Sequence, residues 1–468
     1  MKYDLLLKNA TIVTHNNTFR GNIAVSDGKI KEICDITVVP EAQEIVDIAG
    51  KYLLPGVIDA HVHIAWPDWD WGESCISTTR AAAAGGTTTT LIFTGAVSSG
   101  GAASVVADES EKVSMADFIN DKRQIFSENA YVDGAFHGTV FSYDQVKEMI
   151  PLATSGGVTS FKLFMAHRAS EVPGPWDGTD DGTLYAAFEE MAKLGPPAKV
   201  MTHCENIELL HRLKDKLPPE DELYWCTARP NFTEVESIKR AVLYAKQTGA
   251  ALYIVHLSTK EAKDELRKAK ADGVEIYGET CPHYLGLNYQ NVDRLLSKVN
   301  PPIRTAEDSE ALWQGIREGM ITCIGSDHAE CATKHKNSGF WSGIVGLPGT
   351  QTLLPVILSE GVSKGRISLQ QAVAITSYNV AQTFGIYPQK GTIEIGSDAD
   401  FVVVDMNLEK EVRNEDMHYI CDFTPYNGKV YKGWPVMTFL RGKLIAKDNQ
   451  IVGEKGYGKF IERKASLK

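Results

Sequence analysis

Two histidines that lie two residues apart, His61 and His63, close the apolar run GVIDAHVHI. Residues i and i+2 of a strand point to the same side, so both imidazoles could bind one metal cation. A lone H-x-H pair is equally typical of hydrogen-bonded histidines in a core. Three further polar residues, His203, His256 and Asp327, lie at the ends of other apolar runs. Several potential ligands at strand ends favour a metal site over isolated structural histidines.

Lys162 stands inside the apolar run SFKLFM, where a charged ammonium group would be costly and would repel a cation. Its neutral amine could instead add carbon dioxide. The resulting carbamate is an anion with two oxygens, which could bridge two divalent ions. A lysine paired with a nearby Asp or Glu remains an alternative at this point.

The elements that would position these side chains follow from the rhythm of the chain. Residues 53–384 alternate short runs rich in Val, Ile, Thr and Leu with stretches of helical periodicity, which predicts parallel strands with helical crossovers. Eight such runs predict an α/β fold, a (β/α)8 TIM-like barrel with its active site at the C-terminal strand ends. The flanking segments, 1–52 and 385–468, hold short strands between Gly and Asp turns and predict one small composite β-sandwich.

The composition limits the classes of partner that we expect for this protein. The 468 residues carry a net charge of −12 and no basic cluster, which argues against nucleic acid and favours a small-molecule substrate. No run of about 18 apolar residues predicts a membrane span, and the N-terminus is more typical of a strand than of a secretory signal. The eight cysteines form no C-x-x-C pair and predict reduced thiols, so we expect a cytoplasmic protein.

Seven motifs together resemble the cyclic amidohydrolases of the metal-dependent amidohydrolase superfamily, namely hydantoinase, dihydropyrimidinase, allantoinase and dihydroorotase. They are PGVIDAHVHI, GVTSFKLFM, THCEN, IVHLS, ETCPHYL, NPPIR and GSDHA, in that order. The resemblance implies two zinc ions per subunit and a homo-oligomer, a tetramer or a dimer. A site made of histidine and carboxylate ligands also accepts manganese or cobalt. One ion would be held by His61, His63, N6-carboxylated Lys162 and Asp327, and the other by Lys162, His203 and His256.

The resemblance also implies roles in hydrolysis of a cyclic amide. Asp327 would take a proton from the attacking water and pass it to the leaving ring nitrogen. His167 occupies the position where hydantoinases carry a Tyr that donates to the developing oxyanion, and a loop histidine without a role is the alternative. Asn300 opens the NPPIR loop, whose backbone would bind the ring amide. From the strand pattern, Asp59 should lie beside the histidines and accept a ring N–H, while His283 is expected to be structural.

A few positions in the sequence narrow the choice of substrate among the cyclic amides. Dihydroorotases carry an Arg, which binds the substrate carboxylate, where this chain has Ala65, so dihydroorotate is disfavoured. Trp66, Trp69, Trp71 and Trp176 lie in loops that should overhang the pocket, and aromatic walls favour an apolar ring substituent. We therefore expect hydantoins or dihydropyrimidines to be opened to N-carbamoyl amino acids, with allantoin as the alternative. A non-catalytic scaffold protein of this fold is disfavoured because every expected ligand position is intact.

Overall fold

The computed structural model describes residues 2–65, 69–95, 114–168, 178–216, 224–337 and 343–468. Within them the strands are β1 Tyr3–Val13, β2 Thr18–Ser26, β3 Lys29–Cys34, β4 Ala42–Asp47, β5 Tyr52–Pro55, β6 Val57–His63, β7 Thr87–Thr94, β8 Asp133–Thr139, β9 Ser160–Phe164, β10 Lys199–His203, β11 Leu252–Ile254, β12 Ile276–Thr280, β13 Cys323–Ile324, β14 Phe401–Glu411, β15 Val430–Leu440, β16 Lys443–Lys447 and β17 Gln450–Ile451.

The α-helices of the same residues are α1 Trp71–Ala84, α2 Met115–Asn129, α3 Tyr143–Val146, α4 Met149–Thr154, α5 Asp181–Ala192, α6 Ile207–Lys214, α7 Tyr224–Ala228, α8 Asn231–Thr248, α9 Ala262–Ala271, α10 Pro282–Gly286, α11 Ala306–Arg317, α12 Thr333–Lys336, α13 Leu353–Val356, α14 Leu369–Val373 and α15 Asn379–Phe384. Two π-helical segments, Ile357–Ser363 and Ala374–Tyr378, and a 3₁₀ turn, Asn414–Asp416, complete the helical elements. In the described part of the chain, no helix is both long enough and apolar enough to cross a membrane.

Strands β6 to β13 form one parallel sheet in sequence order, and each of the eight predicted runs contributes one strand. The sheet closes where β6 meets the segment after β13. There, the backbone N–H of His63 donates to the carbonyl of His328 at 2.8 Å, and Val62 pairs with His328 in a parallel bridge. The predicted eight-stranded barrel is therefore confirmed. Its closure brings the ends of the first and eighth strands together.

The main apolar core lies between the outer face of the barrel and the helices around it. Phe136 of β8, for example, packs edge-on against Phe126 of α2 at 5.9 Å and against Trp71 of α1 at 5.9 Å. Such contacts bury large aromatic surfaces on both partners. The helices thereby fix the strands, whose C-terminal ends carry the predicted ligands.

The terminal segments form a nine-stranded mixed sheet, as their strand-rich texture predicted. Its order is β17, β16, β15, β14, β5, β1, β2 and β3, with β4 pairing to β1. Strand β5 joins the N-terminal and C-terminal parts, since it runs parallel to β1 and antiparallel to β14. The predicted first barrel run therefore divides at Gly56 into β5, which belongs to this sheet, and β6, which belongs to the barrel.

A buried charge network connects the terminal sheet to the barrel. The ammonium group of Lys390 lies 2.6 Å from Asp133 at the start of β8, 2.6 Å from Asp400 and 3.0 Å from Asp398. Arg441 also pairs with Asp133. Although burial lowers the pKa of Lys390, the three carboxylates outweigh burial and raise it. The lysine is thus held charged between the two parts of the fold.

Candidate active site

His61, His63 and Asp327 converge at the closure of the barrel. Asp327 Oδ1 lies 3.1 Å from His61 Nε2 and 3.3 Å from His63 Nε2, and the two imidazole nitrogens are 3.2 Å apart. All three donor atoms lie within 4.8 Å of one another. Burial lowers the pKa of His63 to about 4, which leaves a neutral imidazole suited to bind a metal. The donor set fits one divalent cation.

The backbone is unusual at three positions around this cluster. Asp327 has a φ of 51°, His256 of 37° and Ala65 of 63°, all in the left-handed region that non-glycine residues seldom adopt. Such conformations persist only where the surrounding structure holds them, and they concentrate at functional sites. At Asp327 and His256 the unusual turn comes directly at a predicted metal ligand.

Lys162 lies in β9 with a fully buried side chain. Among the described residues its ammonium nitrogen has no hydrogen-bond partner, and it sits 4.7 Å from the Phe93 ring and 4.9 Å from the Phe164 ring. Burial lowers the pKa of Lys162 to about 8, although Asp327 and Glu279 oppose the shift. A buried amine without a partner fits a group that is carboxylated in the working protein.

His203 and His256 form the other side of the same cavity. Their ring centroids are 4.5 Å apart, and His256 Nδ1 is buried without a hydrogen-bond partner in the described part of the chain. One cavity is lined by His63, Lys162, Phe164, His167, His203, His256, Val299, Asn300, Asp327, Ala329, Val345 and Gly346. The structure therefore brings the predicted ligands of both ions to one place, and the unpartnered His256 Nδ1 fits a second cation.

Two buried glutamates that the sequence analysis did not single out hold the imidazoles. Glu279 of β12 accepts a hydrogen bond from His61 Nδ1 at 2.7 Å and from the backbone N–H of His256 at 3.0 Å. Glu205 accepts from His203 Nε2 at 2.8 Å. Burial alone would raise the pKa of Glu205, but Arg229 and His203 hold it at about 2. Carboxylates in this position fix ring orientation and make the imidazole a stronger ligand.

The available signal for Glu279 was weaker than for Lys162, because its run, EIYGET, also carries Glu275 and Thr280. Glu205 lies two residues after His203, a spacing that places it next to the ring but carries no chemical signature of its own. Glu279 could not be assigned a partner from sequence, because it contacts His61 across 218 positions of the chain.

The predicted contact of Asp59 with an imidazole is wrong. Its carboxylate accepts from the backbone N–H of Ser326 at 2.8 Å and from the Thr350 hydroxyl at 2.8 Å, and Glu279 holds the His61 ring instead. The reason is an irregularity in β6, whose pairing with β7 shifts register between Asp59 and Val62. Alternation of faces does not continue across such a shift. Asp59 instead supports the residue directly before Asp327.

His167 and Asn300 both line the cavity, as their assigned roles require. The His167 ring stacks on Phe164, with centroids 4.9 Å apart and planes at 16°. Burial, together with the nearby His203, lowers the pKa of His167 to about 3, so the ring is neutral and presents one N–H. Asn300 Oδ1 accepts a hydrogen bond from the indole of Trp225 at 3.1 Å.

Three other residues that the sequence analysis considered, His283, Trp69 and Trp71, pack against neighbouring side chains. His283 lies in the short helix α10 rather than at the end of β12, and it is buried beside Tyr284. Trp71 packs in the core against Phe136, and Trp69 packs beside a small cluster around Tyr419. The prediction that these two tryptophans wall the pocket is therefore wrong, because Trp71, at the start of α1, and Trp69, just before it, pack against apolar neighbours instead. The other two, Trp66 and Trp176, lie outside the described residues.

Comparisons with known proteins agree with this geometry. The profile of the Amidohydrolase family matches residues 52–445. L-hydantoinase of Paenarthrobacter aurescens is 30% identical over 99% of this chain and 98% of that protein. D-hydantoinase of Ralstonia pickettii is 33% identical over 98% and 99%, and an allantoinase of Desulfitobacterium hafniense is 33% identical over 97% of each chain.

The likeness extends to three-dimensional structure. The solved structure of L-hydantoinase (dihydropyrimidinase) from Arthrobacter aurescens is 30% identical to this chain, and the match covers 98% of this chain and 100% of the other. Its TM-score of 0.89 includes both the barrel and the terminal sheet. Sequence, fold and the donor set at the barrel mouth thus agree that the chain belongs to the amidohydrolase family.

Proposed function

We propose that this protein is a metal-dependent cyclic amidohydrolase that opens hydantoins or dihydropyrimidines to N-carbamoyl amino acids. The observation that carries the proposal is one cavity lined by His63, Lys162, His203, His256 and Asp327, with His61 clustered beside His63 and Asp327. The relatives named hydantoinase at 30–33% identity over nearly the whole chain support it.

The ligand assignment is the one that the family resemblance implies, and the clustered donor atoms support it. His61, His63, Asp327 and carboxylated Lys162 would hold one divalent ion, with zinc as the default. Lys162, His203 and His256 would hold the other. The carbamate on Lys162 would come from carbon dioxide or bicarbonate, and its negative charge would offset the repulsion between the two cations. When bound, the ions supply an activated water at neutral pH and polarise the carbonyl that is attacked.

Residues of the chain itself would transfer the proton, stabilise the oxyanion and bind the ring. The Asp327 carboxylate faces the cavity between two imidazoles, where it can accept the proton of the attacking water and pass it to the leaving ring nitrogen. The neutral His167 ring donates to the oxygen that becomes negative. The Asn300 segment binds the ring amide. His167→Phe should therefore lower kcat by about 10²–10³-fold, and His167→Tyr should restore much of it; an unchanged kcat in the Phe variant would refute this role.

The walls of the cavity favour a neutral ring. Phe164, Val299, Ala329 and Val345 line it, and no Arg is among its described lining residues. Ala65, where dihydroorotases carry an Arg, is buried and its N–H donates to the Ser74 hydroxyl at 3.1 Å. Without a cation for a substrate carboxylate, dihydroorotate is a poor fit. Allantoin remains the second candidate, since relatives named allantoinase are 33% identical to this chain.

The proposal also covers the domain bounds, the oligomeric state and the cellular location of the protein. The predicted catalytic unit, 53–384, would keep these bounds except at its start, because residues 53–55 belong to β5 of the terminal sheet. Segments 1–55 and 385–468 would form the composite terminal unit. We expect a homo-oligomer, a tetramer or a dimer, which light scattering after size-exclusion chromatography would measure. None of the eight cysteines is in a disulfide, which supports a cytoplasmic location.

The deciding experiment assays protein produced with zinc and bicarbonate on dihydrouracil, 5-phenylhydantoin and allantoin. Ring opening of dihydrouracil or 5-phenylhydantoin with at least tenfold higher kcat/KM than allantoin is the expected result. A tenfold preference for allantoin would overturn the substrate choice. Less than one metal ion per chain would contradict the metal assignment and revive the scaffold alternative.

Carboxylation of Lys162 can be tested directly with ¹³C-bicarbonate, which should give a carbamate signal in the ¹³C spectrum. Lys162→Met should abolish that signal. The matched control is Lys199→Met. Lys199 is another buried barrel lysine, but its ammonium group donates to the carbonyls of Pro197 and Thr383 and is thus already engaged. A signal that survives in Lys162→Met would contradict the assignment.

A further inference from the structure

Trp225, in the short helix α7, touches two residues of the cavity wall with one N–H group. Its indole nitrogen lies 3.1 Å from the carbonyl oxygen of Val299 and 3.1 Å from Asn300 Oδ1. Both acceptors belong to residues that line the cavity. The indole therefore holds the main chain of one lining residue and the side chain of the next.

Two cations contact the same indole. The ammonium nitrogen of Lys298 lies 4.1 Å from the ring centroid, and the guanidinium carbon of Arg229 lies 4.7 Å from it. Both distances are within the range of cation–π attraction, for which Trp is the strongest partner. Lys298 directly precedes Val299, so this contact attaches the indole to the same segment a second time.

Arg229 extends the connection to the metal side of the cavity. Its guanidinium donates to Glu205 Oε2 at 2.7 Å, and the same oxygen accepts from His203 Nε2 at 2.8 Å. The backbone carbonyl of Arg229 is held in turn by Arg304 at 2.6 Å. A continuous set of contacts thus runs from the Asn300 segment through Trp225 to His203.

We propose that Trp225 is a positioning residue of this active site, one that sets the Val299–Asn300 segment for binding the carbonyl-bearing ring of the substrate. Because the indole occupies Asn300 Oδ1, the amide NH₂ is the part of the Asn300 side chain that remains to donate to a ring carbonyl. The inference rests on the proposed function and adds to it a side-chain donor for the ring. Trp225 itself does not touch the reacting atoms.

Trp225→Phe tests the proposal, since it keeps an aromatic ring for the two cations and removes the N–H together with the smaller ring of the indole. We expect KM for the preferred ring substrate to rise about tenfold while kcat stays within about twofold, because two hydrogen bonds to the binding segment are lost. Zinc content and melting temperature should match wild type. The control is Trp434→Phe, which removes an indole N–H bonded to the carbonyl of Tyr431 in the terminal sheet at 2.8 Å. It should leave KM and kcat unchanged.

A double-mutant cycle with Asn300→Ala tests whether the effect passes through Asn300. The two substitutions together should raise KM by less than the product of their separate effects, because they remove the same contact. Asn300→Asp provides a variant that keeps the acceptor for the indole but loses the NH₂ donor. We expect it to raise KM about tenfold as well.

Several results would overturn the inference. They are an unchanged KM in Trp225→Phe, a full product of effects in the cycle, or a joint fall of kcat, zinc content and melting temperature, which would indicate general structural damage. The proposed function is tested separately by wild type in the same assays. If wild type opens none of the three rings, the proposed function fails and this inference fails with it. If wild type is active and only Trp225→Phe behaves normally, the inference alone fails.

Discussion

Replacing Glu279 by Gln should weaken metal binding while leaving the fold intact. The carboxylate is fully buried and makes three contacts, with His61 Nδ1 at 2.7 Å, the backbone N–H of His256 at 3.0 Å and the Tyr253 hydroxyl at 2.8 Å. Gln has nearly the same shape, and its remaining oxygen can still accept from the ring and the backbone. Its NH₂ group can donate to the Tyr253 hydroxyl, so the substitution mainly removes the negative charge beside His61.

The magnitude follows from that change. Burial lowers the pKa of His61, but Glu279 and Asp327 outweigh burial and raise it, so the charge of Glu279 makes the imidazole more basic. Loss of such a partner lowers metal affinity by roughly 10–100-fold, or about 1.4–2.7 kcal/mol. Because Gln keeps the geometry, we expect about tenfold. Glu279→Ala also leaves the hydroxyl and a backbone N–H without an acceptor, and it should approach about 100-fold.

The assay is zinc content per chain after equilibration with a graded series of chelator concentrations, with circular dichroism to check folding. Glu330→Gln is the matched control. Glu330 is equally buried, but its carboxylate accepts from the hydroxyls of Ser74 and Ser77, at 2.8 and 2.5 Å, rather than from a predicted ligand. Our reasoning is refuted if Glu279→Gln keeps zinc as wild type does across the series, or if both variants lose it equally.

Three further predictions concern catalysis and stability. Asp327→Asn should keep much of its metal but lose about 10²–10⁴-fold in kcat, and a near-normal kcat with full zinc content would contradict the proton-transfer role. Lys390→Met should lower the free energy of unfolding, measured in urea, by about 3–5 kcal/mol, because three buried carboxylates lose a cation that they share, and only two of them keep another one, Arg441 or Lys29. The partly exposed Lys8→Met should change it by less than about 1 kcal/mol. Burial lowers the pKa of His283 to about 4, so the unfolded chain alone takes up this proton as the pH falls below about 6.5. The neutral, buried His283 ring therefore stabilises the folded state above that pH, and this stabilisation is lost as the pH falls towards 4. Wild type should therefore lose about 2 kcal/mol more than His283→Gln between pH 7.5 and pH 5, and equal losses in urea titrations would contradict this.

The barrel strands and the residues at their ends show how much of the structure can be predicted from local sequence. Runs with the right composition and length predicted all eight strands, because strand and helix periodicities are properties of short segments. The same regularity placed His61 and His63 on one side, and their nitrogens are 3.2 Å apart in the structure. Lys162 was recognisable because a charge inside an apolar run is costly wherever that run is buried.

Contacts across the barrel were beyond this kind of inference. The sequence determined the strands, the terminal sheet and the set of potential ligands, since each depends on a few neighbouring residues. Only the tertiary structure decided that Glu279 holds His61, that Asp59 supports Ser326 and that Trp225 contacts Asn300. These contacts depend on barrel closure, on one register shift in β6 and on the return of a short helix to the cavity. No local periodicity encodes such features, because each joins residues that are distant in the chain.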